Sequence, residues 1–512
     1  MKTEHFILPA LACSLLSGAL SPRAVAASVT LGWDPLDDPS VVGYVLHYGQ
    51  RSGHYINALQ VTNGTSATVR GLAANTIYYF SITSYDSAGF ESVYSDEISW
   101  FIPAPLTVTR SGPGTVFTQT TPTADPDINT YTIVAHPSAG MIFAGWTGSI
   151  SSYAAKLSFV CSSNVVLQAH FIPNPFPAIH GVYNGLLTSD GQPDVATSGT
   201  FSVWVSRLGG YSGRLQVGTE IYRFSGRLDA QCHAGISLSH LKERPLTLSL
   251  AVGTDDRMGQ ISGTFSDGDW LANLSGERAV FNATNDPAPF AGSYTVVFPG
   301  TASDPLRPTG DGFGTVRVFR SGLTVLSGAL ADGAKLRQTA NLSTSSRWPL
   351  FQALYDGNGA IVGWPAFTNL QSGAGFGRVT WIKPAEPSAS LFSSGFTTLI
   401  EALGSAYVPP IETDDRVVSM TNGDVVYSGG NLDSTFTNSV TVAPRGHVTG
   451  LSSTGLNLAI SPGTGIFHGN TIDLSSGQPF AFNGAVLQNL NAGFGFLLGK
   501  NLGSRVIIAP AD

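Results

Sequence analysis

Short runs in which apolar residues alternate with small or polar ones recur along the whole chain. Val29, Leu31 and Trp33 form one such run, Tyr44, Leu46 and Tyr48 a second, and Tyr78, Phe80 and Ile82 a third. A period of two is that of a half-buried strand. Asp37-Asp38-Pro39, Asn63-Gly64 and Ala88-Gly89 separate the runs as turn signals. Strands at this spacing predict a β-sandwich over 28–103. Leu106-Thr107-Val108, Tyr131 to Val134 and Val165 to Phe171 predict further strands over 104–173. From 178 to 289 about eight strand-like runs follow, among them Thr200–Val205, Tyr211–Val217, Ile221–Leu228, Leu246–Val252 and Gln260–Phe265. Such runs with Gly-rich turns predict an antiparallel sheet that curls or closes, which also removes exposed edges.

The C-terminal part echoes itself. Gly181-Val182-Tyr183 matches Gly292-Ser293-Tyr294, and Ser212-Gly213-Arg214-Leu215 matches Ser327-Gly328-Ala329-Leu330. Gly-Phe-Gly stands at 312–314, 375–377 and 493–495, the last two preceded by Ala. A repeat of about 110 residues accounts for this, which is domain-sized. The expected organisation is a β domain at 178–289 and a related region at 290–512, the latter divisible around a Pro-containing joint at 384–412. The fold class is therefore all-β, with two or three related barrel or sandwich domains after two smaller modules.

Composition supports strands over helices. Charged residues make up only 12% of the 512 residues, while Gly numbers 59 and Pro 30. The polar surface thus falls to Ser, Thr, Asn, Gln and Gly, which suit sheet faces and tight turns better than solvated helices. A net charge of −8 without a basic patch argues against nucleic acid as a partner. At the N-terminus, Lys2, the apolar stretch Phe6 to Leu20 and Ala24-Val25-Ala26 have the order of a secretory signal, cleaved after Ala26 or Ala27. Lipidation at Cys13 is the alternative. No later segment approaches about 20 continuous apolar residues, so no transmembrane helix is expected after the signal. Cys161 and Cys232 fall in different modules and are read as buried small hydrophobes without a disulfide.

Two segments resemble known families. Trp33, Gly43-Tyr44-Val45-Leu46-His47-Tyr48 and Leu72-Ala73-Ala74-Asn75-Thr76-Ile77-Tyr78 resemble a fibronectin type III domain over 28–103. The resemblance implies that Leu72 and Tyr78 form a tyrosine corner, that Asp86 to Ser92 form the last hairpin, and that the module serves as spacer or in adhesion. Residues 104–173 resemble the divergent listerial-type B-repeat. The matching features are Pro137-Ser138-Ala139-Gly140, Gly145-Trp146-Thr147-Gly148 and the closing Ala169-His170-Phe171. This implies a small β-grasp-like module used for spacing and display. The last stretch, Phe482 to Gln488 followed by Gly493 to Gly499, is similar to the ends of large exported proteins of environmental bacteria, a resemblance that implies no activity.

Candidate chemistry is sparse. His47 and His54 lack the third ligand that zinc wants. Gly310-Asp311-Gly312-Phe313-Gly314 precedes a strand, so it reads as a hairpin turn and not a phosphate cradle. Asp356-Gly357-Asn358-Gly359 begins like a calcium loop but lacks the remaining ligands, and Asn-Gly favours a hairpin. Asp255-Asp256, Asp267 with Asp269, and Asp414-Asp415 could pair as glycosidase carboxylates, yet Asp is the ordinary turn residue. No cofactor is called for. Trp348, Trp364 and Trp381 lie among Phe351, Tyr355, Phe367 and Phe376, where core packing is the default. Trp348 and Trp364 precede Pro349 and Pro365, however, so both are candidates for exposed edge positions that stack on a sugar ring. The leading expectation is a secreted or cell-surface β protein whose N-terminal modules display a binding or structural C-terminal region. Polysaccharide binding, with Trp348 or Trp364 as platform, is one alternative, and a hydrolase of an extracellular polymer another.

Overall fold

The computed structural model describes residues 27–102, 106–122, 129–160, 165–191, 193–238, 245–301, 304, 306–367, 376–451, 455–472 and 477–511. Cys161 and the expected signal with Cys13 lie outside them. The chain divides after Asn174 into two compact units. Among the described residues nearly every element is a strand, and no helix is long and apolar enough to cross a membrane.

In the N-terminal unit, Ala27–Gly32 pairs with Ser66–Leu72. A second sheet runs Asn57–Val61, Val41–Gly49, Thr76–Asp86, Ile98–Ile102. Val29, Leu31, Leu46, Val69, Leu72, Tyr78 and Phe80 pack between the two sheets. The tyrosine corner is present, since the Tyr78 hydroxyl accepts the Ala73 amide at 3.2 Å. Residues 106–173 build two three-stranded sheets, one of which sets Val165–Pro173 parallel to Leu106–Ser111. The described residues of this module contain no helix, and its two sheets close over Trp146, Leu167, Ala169 and Phe171. Gly140 takes φ +77°, which lets the Pro137–Gly140 turn close, and the Met141 amide donates to Ser138 O.

The C-terminal unit holds three eight-stranded antiparallel sheets. The first comprises Gly181–Thr188, Gly199–Val205, Gly210–Val217, Glu220–Arg227, His233–Leu238, Leu246–Val252, Gln260–Ser266 and Leu271–Ala279. The second comprises Gly292–Phe298, Gly312–Val318, Leu323–Ala329, Lys335–Asn341, Leu350–Leu354, Gly359–Gly363, Gly377–Lys383 and Phe396–Ala406. In both, the first strand pairs with the second and the eighth, giving the order 4-3-2-1-8-7-6-5. Each sheet is thus a nearly closed barrel whose seam falls between strands four and five. The third runs Asn422–Ser428, Phe436–Val442, Val448–Gly450, Asn457–Ile460, Ile466–Ile472, Pro479–Leu487, Ala492–Leu498 and Gly503–Pro510. Its seam falls one strand earlier, between three and four. The segment 384–412, expected as a joint, contains the eighth strand of the second barrel. That strand pairs on both sides, so the connection to the third barrel runs over 407–421.

The sequence echoes mark equivalent places. Tyr183 and Tyr294 sit in the first strands, and each donates its hydroxyl to the carbonyl four residues earlier, Ile179 O at 2.7 Å and Phe290 O at 2.8 Å. The Ala-preceded Gly-Phe-Gly triplets reach the seventh strands of barrels two and three. The barrels pack on one another. Leu186 of the first meets Phe351, Ala360 and Val362 of the second. Phe313, Ala329 and Ala331 of the second meet Ala485 and Phe496 of the third.

Candidate functional site

In an antiparallel meander, the turns that follow odd-numbered strands share one end. In the second barrel these are 299–311, 330–334, 355–358 and 384–395. A cleft of about 640 Å³ opens there, lined by Asp332, Lys335, Gln352, Tyr355, Lys383 and Ser390, with Thr219 contributed by the first barrel. Barrel mouths are common ligand sites because the sheet supplies a rigid frame and the loops supply variable groups.

Beneath the cleft lies a buried polar group. Lys383 Nζ is 3.3 Å from Asp332 Oδ2, with side chains only 7% and 2% exposed. The Tyr355 hydroxyl donates to the same oxygen at 2.6 Å, and Trp381 Nε1 donates to the Tyr355 hydroxyl at 3.0 Å. The ammonium also lies 4.0 Å from the Tyr355 ring centroid. Burial, then the Asp332 charge and its hydrogen bond, push the Tyr355 phenol far up, so it keeps its proton and remains a donor.

The two halves of this barrel are joined at the seam by side chains. Gln338 Nε2 donates to Pro349 O at 2.7 Å, and Gln338 Oε1 accepts Trp348 Nε1 at 2.7 Å. Gln352 Oε1 accepts the Arg337 amide at 2.6 Å, and Gln352 Nε2 donates to Lys335 O at 2.8 Å. Carboxamides thus replace the missing ladder bonds. In the first barrel the corresponding edges instead leave a groove of about 390 Å³ between Ile221–Ser225 and Ile236–Leu238.

The structure corrects the expected aromatic platform. Trp348 is 0% exposed and committed through its indole N–H to the seam. Proline after it blocks a ladder bond as foreseen, but the gap is filled by Gln338 and not by solvent. Trp364 is half-buried, packs beside Phe351 and Val362 at the contact with the first barrel, and has the Arg347 guanidinium 4.8 Å over its ring. Trp348 thus offers no ring face to solvent, and Trp364 carries the Arg347 guanidinium on one face.

The remaining candidates resolve into structural roles. His47 Nε2 lies within hydrogen-bond distance of Thr83 and Glu91. Trp146 is 2% exposed and donates to Ala154 O. Asp267 Oδ1 accepts the Asp269 and Trp270 amides, and Asp415 Oδ2 accepts the Ile411 and Glu412 amides, as turn carboxylates do. Asp356 and Gly357 turn the fifth strand into the sixth. Among the described residues no three His, Cys, Asp or Glu side chains are grouped to hold a metal ion.

Gly310-Asp311-Gly312 is more than a turn. Asp311 Oδ1 accepts Arg505 Nη2 of the third barrel at 2.8 Å and the Gly300 amide at 2.9 Å, and the Asp311 amide donates to Gly495 O. Sequence reading missed Asp332, Lys383, Asp311 and Arg505. For Asp332, Lys383 and Asp311 the one signal is scarcity, since in a chain so poor in charge an acid or base flanked by Gly or Pro has few solvated roles; Arg505, between Ser504 and Val506 inside a strand, carries not even that.

The fold and these sites define a modular all-β chain, two small extracellular-type modules followed by three barrels. Residues 21–100 match the fibronectin type III domain family, and residues 104–175 match the divergent InlB B-repeat domain family. Among curated proteins the chain is 32% identical over 99 residues to E3 ubiquitin-protein ligase TRIM9 of Drosophila melanogaster, covering 18% of this chain and 13% of that protein. It is 42% identical over 65 residues to the Kelch domain-containing protein SSO1033 of Saccharolobus solfataricus, covering 13% and 9%. The chain thus spans only a small part of the length of these relatives. Among solved structures, the central fibronectin-III array of RIM-binding protein aligns at 12% identity, covering 66% of this chain and 96% of that one, with a TM-score of 0.13. A transferrin binding protein B from Haemophilus parasuis aligns at 10% identity over 98% of both chains, with a TM-score of 0.17. Scores this low carry no argument about fold.

Proposed function

We infer that the chain is an exported display protein whose fibronectin type III and B-repeat modules space a rigid three-barrel body bearing the binding region. The observation that carries this reading is the way the barrels are fused. The Thr295 hydroxyl of the second barrel donates to Val486 O of the third at 2.6 Å with both residues fully buried, and Asp311–Arg505 locks the same contact. The cleft itself draws residues from two barrels. A body of this kind presents a surface of fixed shape, and the polar lining of Thr219, Lys335, Gln352, Asp356 and Ser390 suits an extracellular polysaccharide. Protease treatment of intact cells producing the full chain tests display: the 181–510 body should be released or trimmed without lysis, and protection until lysis overturns it. Retention of the full chain on immobilised polysaccharides, lost in the Lys335→Ala/Asp356→Ala double variant, tests the cleft. Equal retention of wild type and variant would assign binding elsewhere.

A further inference from the structure

We propose that Lys383 and Asp332 condense to an intramolecular isopeptide bond that covalently closes the second barrel across its seam. Three observations converge on it. First, the pair is almost wholly withdrawn from water and in contact, Nζ to Oδ2 3.3 Å. Two charges taken out of water carry a large desolvation cost that their attraction only partly offsets. Joining them as a neutral amide removes both charges. Second, the groups that such a condensation needs are in place. The Tyr355 hydroxyl, 2.6 Å from Oδ2 and itself held by Trp381 Nε1, is a fixed donor aimed at the oxygen on which negative charge develops. Third, Asp332 and Lys383 both line the cleft, which gives the released water an exit.

The atoms balance without an oxidant or any co-reactant. A proton passes from the Lys383 ammonium to the Asp332 carboxylate, leaving an amine and a carboxylic acid. The Nζ lone pair attacks Cγ, the C–N bond forms, and Tyr355 holds the tetrahedral oxygen. Nζ then gives up a proton to the departing hydroxyl, the C–OH bond breaks, and one water leaves. Holding both reactants in one geometry replaces a bimolecular encounter by an intramolecular step.

The placement gives the bond a purpose. Asp332 lies in the turn between strands three and four, and Lys383 ends strand seven. The two therefore belong to opposite halves of the sheet, which meet at the seam where the backbone ladder is absent. The link would tie those halves together beside the Gln338 and Gln352 bridges.

Mass spectrometry of the full chain, denatured, tests this. The wild-type chain should be lighter than its sequence by one water. A tryptic digest should yield one branched species joining 321–335 to 379–416, since Lys383-Pro384 resists trypsin. Lys383→Met and Asp332→Ala should each restore the full mass, and Tyr355→Phe should lower the joined fraction in chains whose Lys383–Asp332 contact is otherwise intact. The full mass in folded wild-type protein overturns the proposal. So does loss of water with 321–335 and 379–416 recovered as separate peptides, which would mark cyclisation at Asp332-Gly333 instead. Because the branched peptide is read from the wild type, misfolding of a variant does not decide the result.

Discussion

Replacing Gln338 by Ala should loosen the second barrel at its seam far more than replacing Gln352. Gln338 carries two bonds, one to Pro349 O and one from the indole N–H of the fully buried Trp348. Losing the first costs about 0.5–1.5 kcal/mol, and stranding the indole N–H away from water adds about 1–3 kcal/mol. The expected total is about 2–4 kcal/mol. Gln352 bridges backbone groups at the solvent side, Arg337 N and Lys335 O, where water replaces the lost partner, so Gln352→Ala should cost only about 1 kcal/mol. Hydrogen exchange of the native full chain reads these costs locally, which matters because several domains need not unfold as one. Protection over Lys335–Asn341 and Leu350–Leu354 should fall about 30- to 1,000-fold in Gln338→Ala. Trp348→Phe removes the donor from the same bond, so the double variant Gln338→Ala/Trp348→Phe should cost less than the sum of the singles by about 1 kcal/mol or more. A loss of protection in Gln338→Ala no larger than in Gln352→Ala, or strict additivity in the cycle, would refute the bridging role.

Arg505→Ala leaves the Asp311 carboxyl buried without its cation and should destabilise the joint of barrels two and three by about 3–5 kcal/mol, seen as earlier unfolding in urea. Burial already holds the Asp311 carboxyl above the usual carboxylate range against the pull of Arg505 and the Gly300 amide. The folded state thus holds this proton more tightly than the unfolded chain does, and stability falls as pH rises from the unfolded value through the folded one. Without Arg505 that window widens upward, so the deficit of Arg505→Ala should be small near about pH 4 and full near about pH 7; an equal deficit at both would sink this account. Burial pushes the Cys232 thiol up to about 11, and the residue is 1% exposed, so peptide mapping after alkylation at neutral pH should find it unmodified in the native chain and modified in denaturant. Tyr183→Phe and Tyr294→Phe each remove one hydroxyl bond to the carbonyl four residues earlier and should each cost about 1 kcal/mol in thermal or urea unfolding; a much larger cost in one than in the other would break their structural equivalence.

Those two tyrosines also show what could be read from the chain and what could not. Period-two alternation located the strands because a sheet that buries one face must write that face into every second residue, as Phe201, Val203 and Val205 do against the exposed Trp204. Likewise, a Tyr two residues past a Gly in the opening strand of two domains marks one local device used twice. The prolines in the expected joint at 384–412 show the converse. Prolines 384 and 387 mark only a long turn between strands seven and eight, and local turn chemistry does not distinguish a connection inside a barrel from one between barrels.

The aromatic residues show the limit of local reasoning at the site. Proline after Trp348 does remove a ladder donor, and from that fact alone an exposed edge was a sound expectation. What fills such an edge is decided by strands far away in sequence, here by Gln338 across the seam, and no periodicity encodes that pairing. The same holds for Asp332 with Lys383 and for Asp311 with Arg505, each brought together over long separations. Each acid stands beside a Gly and reads locally as a turn residue, while its partner sits in or at the end of a strand. Burial turns these ordinary letters into strong electrostatic contacts, because a charge in contact with its partner out of water interacts far more strongly than the same pair on a wet surface. In a chain with so few charges, one of these buried pairs sits beside an open seam and the other at the joint between two barrels. Both placements fit a body that must hold its shape while offering few cysteines for covalent stapling, and that is why the Lys383–Asp332 contact is the first place to look for a covalent bond.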